Sequence, residues 1–315
     1  MKVIFVASGN KAVGTVSSFV RSQFDSLREQ NLDMTLFPVT GKGWKGYAKN
    51  LVALRKLVKT QKPDIVHAHY SVCGYLAALA TFGLKTKVVV SILGSFPPGK
   101  FKAKKRLVRF FIDHVWDGAL VKSQRTRSQL NRPLPVVPNG VDLRMFNLRP
   151  QAEARAVVGF EEGEKYVIFV SNPARPEKNY PLAQAAVQTL QQPNLHLVPV
   201  FDKPHSQVVD YMCAADVLIM TSLNEGSPNV IKEAMACNCP IVVTDVGDVR
   251  WVTSGVDGTF VADTFKAEEL ADLLKKALAF NGRTRGRERI TELELTTQEV
   301  SSKLISIYNT VLKCL

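Results

Sequence analysis

Acidic residues are scarce in the first half of this chain. Residues 1–150 hold 7 Asp and Glu against 25 Lys and Arg, a balance of +18, while residues 151–315 carry −5. The whole positive excess of +13 therefore sits in one half. Such asymmetry points to a polyanionic partner for that half alone, nucleic acid or an anionic membrane surface. Long apolar runs are missing too. None approaches the roughly 20 residues needed to span a bilayer. The opening run Lys2–Ala7 is too short for a signal peptide and leads straight into Ser8-Gly9-Asn10, so it reads as a first strand. A soluble or peripheral protein is expected. The five cysteines (Cys73, Cys213, Cys237, Cys239, Cys314) show neither disulfide nor metal-ligand spacing, which fits reduced cytoplasmic core thiols. No Asp-x-Asp stands near a strand end, and His67 and His69 have no third ligand nearby. No metal is expected.

What is present is an alternation of short apolar runs with helical patterns, the mark of parallel sheets wrapped by helices. In the first half the strand candidates are Val3–Ala7, Met34–Val39, Ile65–Ala68, Val88–Leu93, Ala119–Lys122 and Pro135–Val137. Residues 140–163 are polar and irregular and read as a linker. A second series follows: Tyr166–Val170, Leu195–Phe201, Val217–Thr221, Ile241–Thr244 and Thr259–Val261. Helical patterns at about 267–280 and 296–312 close the chain. A length of 315 residues accommodates two domains of about 150. The expected division is 1–145, 146–295 and a terminal helix, 296–315, packing back on the first domain.

The most informative stretch runs from Glu225 to Asp245. The apolar run 216–222 has strand length and ends at the turn-prone Asn224-Glu225-Gly226-Ser227-Pro228. Helical character from Asn229 to Cys237 and a second apolar run, Ile241–Val243, complete a βαβ unit. Glu225 then lies at the carboxyl end of a strand, where open α/β sheets bind ligands. The helix start beside it, at Asn229 and Val230, offers backbone N–H groups to a phosphate. Glu233 lies one to two turns along. Carboxylates at the two places can each accept hydrogen bonds from hydroxyls of one ligand, with a phosphate between them. Gly226, Ser227 and Pro228 make the turn, and Gly226 lets backbone approach the ligand without a Cβ in the way. Arg175 and Lys178 follow another strand candidate and place two cations at its carboxyl end, suited to the charge that grows on a departing diphosphate. The whole suits a nucleotide sugar.

These residues resemble the retaining glycosyltransferases of family 4, which have the GT-B fold. Their Glu-x7-Glu signature stands here as Glu225 and Glu233. Three further segments match in order: Asp64-Ile-Val-His-Ala-His69, Val137-Pro-Asn-Gly-Val-Asp142 with Phe146, and Asn172-Pro-Ala-Arg-Pro-Glu-Lys178-Asn179. The similarity runs from about residue 1 to about residue 276. It implies an α/β fold of two Rossmann-like domains facing across a cleft. It implies a hexose moved from a UDP- or GDP-sugar to a saccharide or lipid-linked acceptor, in surface polysaccharide or glycolipid biosynthesis, without a cofactor or metal. By the same resemblance Glu225 holds hydroxyls of the transferred sugar and Glu233 those of the ribose, while Lys178 and Arg175 serve the leaving diphosphate. The family's Arg position falls on Pro173, so Arg175 takes the role from two residues on. Asn172, Gly9 and Gly14 belong to the donor side, and His69, Gly94, Ser95 and Asn139 to the acceptor side. The chain departs from the family at Leu93 and Phe96, where many members carry His and Asp.

Residues 99–112 are the densest basic stretch. Lys102, Lys105, Arg106 and Arg109 share helical spacing with Lys104 beside them, and Leu107, Phe110 and Phe111 can face a core. A basic amphipathic helix suits anionic lipid, which implies a peripheral location at the inner face of the cytoplasmic membrane. Nucleic acid is the rival partner, but neither a helix-turn-helix nor aromatics interleaved with basic residues on a sheet is visible. A sugar-nucleotide epimerase on the same fold is the rival activity. It needs cleft carboxylates and a His, and the first half is short of acidic residues.

Overall fold

Runs of Val, Ile and Phe become strands that are buried on both faces, as parallel sheets require. In the computed structural model, which describes residues 1–9, 14–41, 43–93, 96, 102–280 and 282–313, the chain divides into two units. One comprises Met1–Gly140 and Thr297–Leu315, the other Val141–Thr296. The first unit begins β1 (Lys2–Ser8), α1 (Ser18–Glu29), β2 (Asp33–Val39), α2 (Gly43–Gln61) and β3 (Ile65–His69). It continues with α3 (Ser71–Thr81), β4 (Lys87–Ile92), α4 (Lys102–His114), β5 (Gly118–Val121) and α5 (Gln124–Leu130). Its parallel sheet has the order β2-β1-β3-β4-β5.

The second unit holds α6 (Gln151–Val158), β6 (Lys165–Phe169), a 3-10 turn (Pro176–Lys178), α7 (Tyr180–Thr189), β7 (Leu195–Pro199), α8 (His205–Ala214) and β8 (Val217–Met220). Then come α9 (Asn229–Ala236), β9 (Ile241–Thr244), α10 (Val249–Thr253), β10 (Thr259–Ala262), α11 (Ala267–Ala279) and α12 (Gly286–Glu292). Its sheet, β10-β9-β8-β6-β7, repeats the first unit's order, again all parallel. In each sheet the order reverses beside the first strand. Loops leaving the two strands at that point run to opposite sides and leave a crevice at their carboxyl ends. In the second unit those strands are β6 and β8.

The last helix, α13 (Thr297–Lys313), belongs to the first unit. Val300, Leu304, Tyr308 and Val311 are buried among Val3, Phe5, Val20, Phe24 and Leu27. The Tyr308 hydroxyl lies 2.6 Å from His67 Nδ1, and His67 Nε2 lies 2.8 Å from Ser91 Oγ.

Four expectations need correction. The first unit ends at Gly140 rather than 145, because Val141 and Phe146 are buried in the core of the second, which in turn runs on to Thr296. Residues 140–163 contain α6, whose Ala154 is buried and whose Arg155 binds Asp216 Oδ2 at 2.8 Å. Pro135–Val137 forms only a bridge, Val121 to Val136, since Pro135 and Pro138 donate no ladder hydrogen bonds. In α4 the core-facing residues are Val108, Phe111 and Ile112, whereas Leu107 and Phe110 are 46% and 52% exposed. Lys102, Lys104 and Arg106 are exposed and Lys105 is half-buried. Arg109 turns away from that surface and donates to the Leu130 carbonyl at 2.7 Å. No described helix is long and apolar enough to cross a membrane.

Candidate active site

The loops after β6 and β8 meet at the second unit's crevice. Thr221 Oγ1 donates to the carbonyls of Lys178 (3.0 Å) and Asn179 (2.8 Å), and the Leu223 amide donates to the Glu177 carbonyl at 2.9 Å. These bonds fix the 3-10 turn against the end of β8. They bring Lys178 Nζ to 2.5 Å from Glu225 Oε1, with both side chains mostly enclosed. Arg175 is not part of this pair. It is exposed, and its guanidinium faces Glu177 at 2.5 and 2.9 Å. Asn172 folds its own loop, its Oδ1 accepting from the Ala174 amide at 2.9 Å.

Past Glu225, the Gly226-Ser227-Pro228 turn leads into α9. Pro228 occupies the cap position and has no side chain able to cap it, and the first turn of α9, at Asn229 and Val230, follows that turn directly. Glu233 follows one turn later. Its enclosure pushes the carboxyl above the usual range, against the pull of His205 and Lys232. A raised carboxyl in a site of this kind is suited to hydrogen bonds with hydroxyls.

Three residues at this turn escaped the sequence reading. Gly247, at φ +65°, lies so close beneath the turn that a Cβ there would be 2.6 Å from the Gly226 carbonyl oxygen. Lys232 is 1% exposed, and its Nζ donates to Ser227 Oγ at 3.1 Å. Burial lowers its ammonium to about 8 against the pull of Asp248 and Glu233. Asp248, raised by burial against the pull of Lys232, hydrogen-bonds the same Ser227 side chain. One signal was available. Lys232 lies on the helical stripe with Ile231, Met235 and Ala236, all buried.

Of the residues expected on the first unit, Gly9 follows β1 and His69 ends β3, at the carboxyl end of its sheet. The Gly14 amide donates to the Gly9 carbonyl at 3.0 Å. Gly14 adopts φ +87°, and a Cβ on Gly9 would press 2.7 Å from Pro38 Cβ. His67 and His69 are fully buried and stacked at 4.6 Å. Neither His69 ring nitrogen has a hydrogen-bond partner among the described residues. Burial lowers both imidazoles, with Lys122 adding to the effect on each and His67 to that on His69. Asn139 is buried. Phe96 fills the core, its amide donating to Gln129 Oε1 at 2.8 Å. Gly94 and Ser95 lie outside the described residues, as do Asn10 to Val13 of the glycine loop and Cys314. Among the described residues, no three His, Cys, Asp or Glu side chains gather as metal ligands.

Two family models match the chain and together span most of it. One, Glycosyltransferase Family 4, covers residues 15–144, and the other, Glycosyl transferases group 1, covers residues 179–279. The N-acetyl-alpha-D-glucosaminyl L-malate synthase of Bacillus anthracis is 24% identical over 302 residues, 82% of this chain and 76% of its own. An Escherichia coli protein, UDP-Gal:alpha-D-GlcNAc-diphosphoundecaprenol alpha-1,3-galactosyltransferase, is 25% identical over 259 residues, 68% of this chain and 66% of its own. Among solved structures, Anabaena Alr3699/HepE in complex with UDP superposes with a TM-score of 0.77 at 14% identity, covering 98% of this chain and all of that one. The fold is GT-B.

Proposed function

The chain belongs to the group 1, family 4 glycosyltransferases, and on that premise we propose that it is a retaining hexosyltransferase using a UDP- or GDP-sugar. The observation that carries this reading is the Lys178–Glu225 pair at the crevice between β6 and β8, beside the start of α9. A diphosphate at that helix end meets backbone donors and the Lys178 ammonium. As the glycosidic bond to the leaving phosphate breaks, charge gathers on the phosphate oxygens, and a fixed cation stabilises it more than it stabilises the ground state. Glu225 accepts hydrogen bonds from the transferred sugar and Glu233 from the ribose. Arg175, exposed on the same loop, reaches the diphosphate by exchanging Glu177 for it. Catalysis of this kind rests on positioned charge and needs no metal. The solved relative with UDP bound favours a uridine donor.

The acceptor is a saccharide or a lipid-linked saccharide in polysaccharide or glycolipid biosynthesis, supported by the relative named for a diphosphoundecaprenol acceptor. His69, Gly94, Ser95 and Asn139 are assigned to its side. The exposed cations and apolar side chains of α4 hold the enzyme at an anionic lipid surface on the cytoplasmic side of the membrane.

A thermal-shift screen against UDP-, GDP-, ADP- and TDP-sugars tests the donor. The right donor at a hundred times its dissociation constant adds about 2.7 kcal/mol of stability. The product's anomeric configuration, read by NMR, tests retention. Nucleoside diphosphate release in EDTA should require acceptor. A sugar nucleotide epimerised without acceptor overturns the assignment.

A further inference from the structure

A buried lysine beneath a ligand loop calls for a reason. Burying a charged group costs stability unless it is paired and hydrogen-bonded, so a buried lysine is weak support for a role in stability alone. Lys232 and Asp248 are 1% and 8% exposed, and they come from different elements. Lys232 lies in α9, next to Glu233. Asp248 stands at the N-cap position of α10, on the loop after β9, without a side-chain capping bond. They meet at one group, the Ser227 hydroxyl, in the turn between Glu225 and α9. Lys232 Nζ donates to Ser227 Oγ at 3.1 Å, and that hydroxyl's own proton goes to the Asp248 carboxylate. With a donor on one side and an acceptor on the other, the hydroxyl has one orientation. The second Asp248 oxygen, Oδ2, is buried without a hydrogen-bond partner among the described residues. Beside it, Gly247 seats its backbone directly against the Gly226 carbonyl.

We infer that Lys232 and Asp248 are positioning residues of the donor site: through the Ser227 hydroxyl they fix the Glu225–Pro228 turn, and so set the aim of Glu225 and of the first N–H groups of α9. The inference rests on the reading of that turn as the donor site. Neither residue touches the donor. Their part is to hold a polar turn, whose cap position is a proline, in the shape that receives a diphosphate. A displacement of about 1 Å at such a turn is enough to cost about a hundredfold in rate.

The test is a double-mutant cycle on the full chain. Ser227→Ala, Lys232→Met, Asp248→Asn and the double variant Ser227→Ala/Lys232→Met are compared for UDP and GDP affinity by calorimetry, for donor KM and kcat, and for Tm. If Lys232 acts through Ser227, each single variant raises donor KM about tenfold, and the double variant raises it no further than the worse single. Additive losses overturn the inference, and so does a lower Tm with unchanged donor KM in Lys232→Met. Should Lys232→Met fail to fold, Ser227→Ala and Asp248→Asn decide the matter alone: donor KM raised in both supports the inference, and donor KM unchanged in either overturns it. Glu225→Gln is the control. If it binds donor as wild type does, the donor-site reading itself fails. If it loses donor while the Lys232 and Asp248 variants do not, only the positioning role fails.

Discussion

Lys178 and Glu225 are 47 residues apart in sequence and 2.5 Å apart in space, an ion pair joining the loop after β6 to the loop after β8. It occupies the place where the strand order reverses, so one bound ligand would face both partners at once.

Lys178→Ala should lower kcat about a hundredfold or more, the usual cost of removing one fixed donor to developing charge. It should weaken a nucleoside diphosphate more than the free nucleoside. Calorimetry with UDP and uridine, and with the guanosine pair, checks this, and equal losses would place Lys178 away from the phosphates. Glu225→Gln should abolish transfer with circular dichroism unchanged, since an amide presents a donor where sugar hydroxyls need an acceptor.

Two glycines with positive φ should separate strain from contact. Gly255, at φ +78°, has open space for 4 Å around the point where an alanine methyl would stand, so Gly255→Ala should cost the conformational penalty alone, about 1 kcal/mol. Gly247→Ala adds a collision with the Gly226 backbone and should cost about 3 kcal/mol, with weakened donor binding. Chemical denaturation of both variants, with donor titrations, checks the pair. Equal costs would mean that the turn yields freely.

Acid should find the first unit through its histidines. His67 and His69 are held neutral in the fold, with pKa values well below the ordinary 6.5. Below pH 6.5 the unfolded chain takes up protons that the folded chain refuses. Stability from these groups is therefore complete above about 6.5 and falls as pH drops, by up to about 1.4 kcal/mol per pH unit for each His. Glu233 and Asp248, raised by burial, act in the opposite sense. His69→Leu isolates one imidazole. Its stability curve from pH 7 to 5 should fall less steeply than that of wild type, and parallel curves would show that His69 gains a proton without cost.

Membrane attachment should be electrostatic. Each basic side chain near an anionic bilayer contributes about 1 kcal/mol, screened beyond a Debye length of about 8 Å. Sedimentation with anionic vesicles at low salt, release at high salt and no binding to neutral vesicles are expected. Gln at Lys102, Lys104, Lys105 and Arg106 should weaken sedimentation without altering donor affinity. Ser at Leu107 and Phe110, which face solvent, should weaken it too. Wild type remaining in the supernatant with anionic vesicles would end the membrane reading.

The parallel strands were legible because burial on both faces writes them as unbroken apolar runs, Val3 to Val6 and Ile241 to Val243 among them. The carboxylates of the Glu-x7-Glu pair and the lysine after β6 were legible for a related reason, standing just past the ends of such runs. Their meeting was not. It depends on β6 lying between β7 and β8, which no local pattern specifies. α6 was hidden because the helix buries one residue, Ala154, and its polar remainder reads as linker. The Lys232–Ser227–Asp248 contact was hidden because a lysine beside a glutamate reads as a solvated face, and only packing reveals that one points inward.

The placement of Tyr308 has a consequence for how the protein is made. The second unit is continuous in sequence, from Val141 to Thr296, and has its whole core once those residues are available. The first unit opens with β1 but lacks Val300, Leu304, Tyr308 and Val311 until the residues after Thr296, beyond the whole second unit, have been made. Domains usually mature on the ribosome in the order they emerge. Here the earlier-synthesised sheet waits with Val3, Phe5 and Leu27 uncovered and His67 without its hydroxyl partner, so during synthesis aggregation and proteases threaten the first unit for longer than the second.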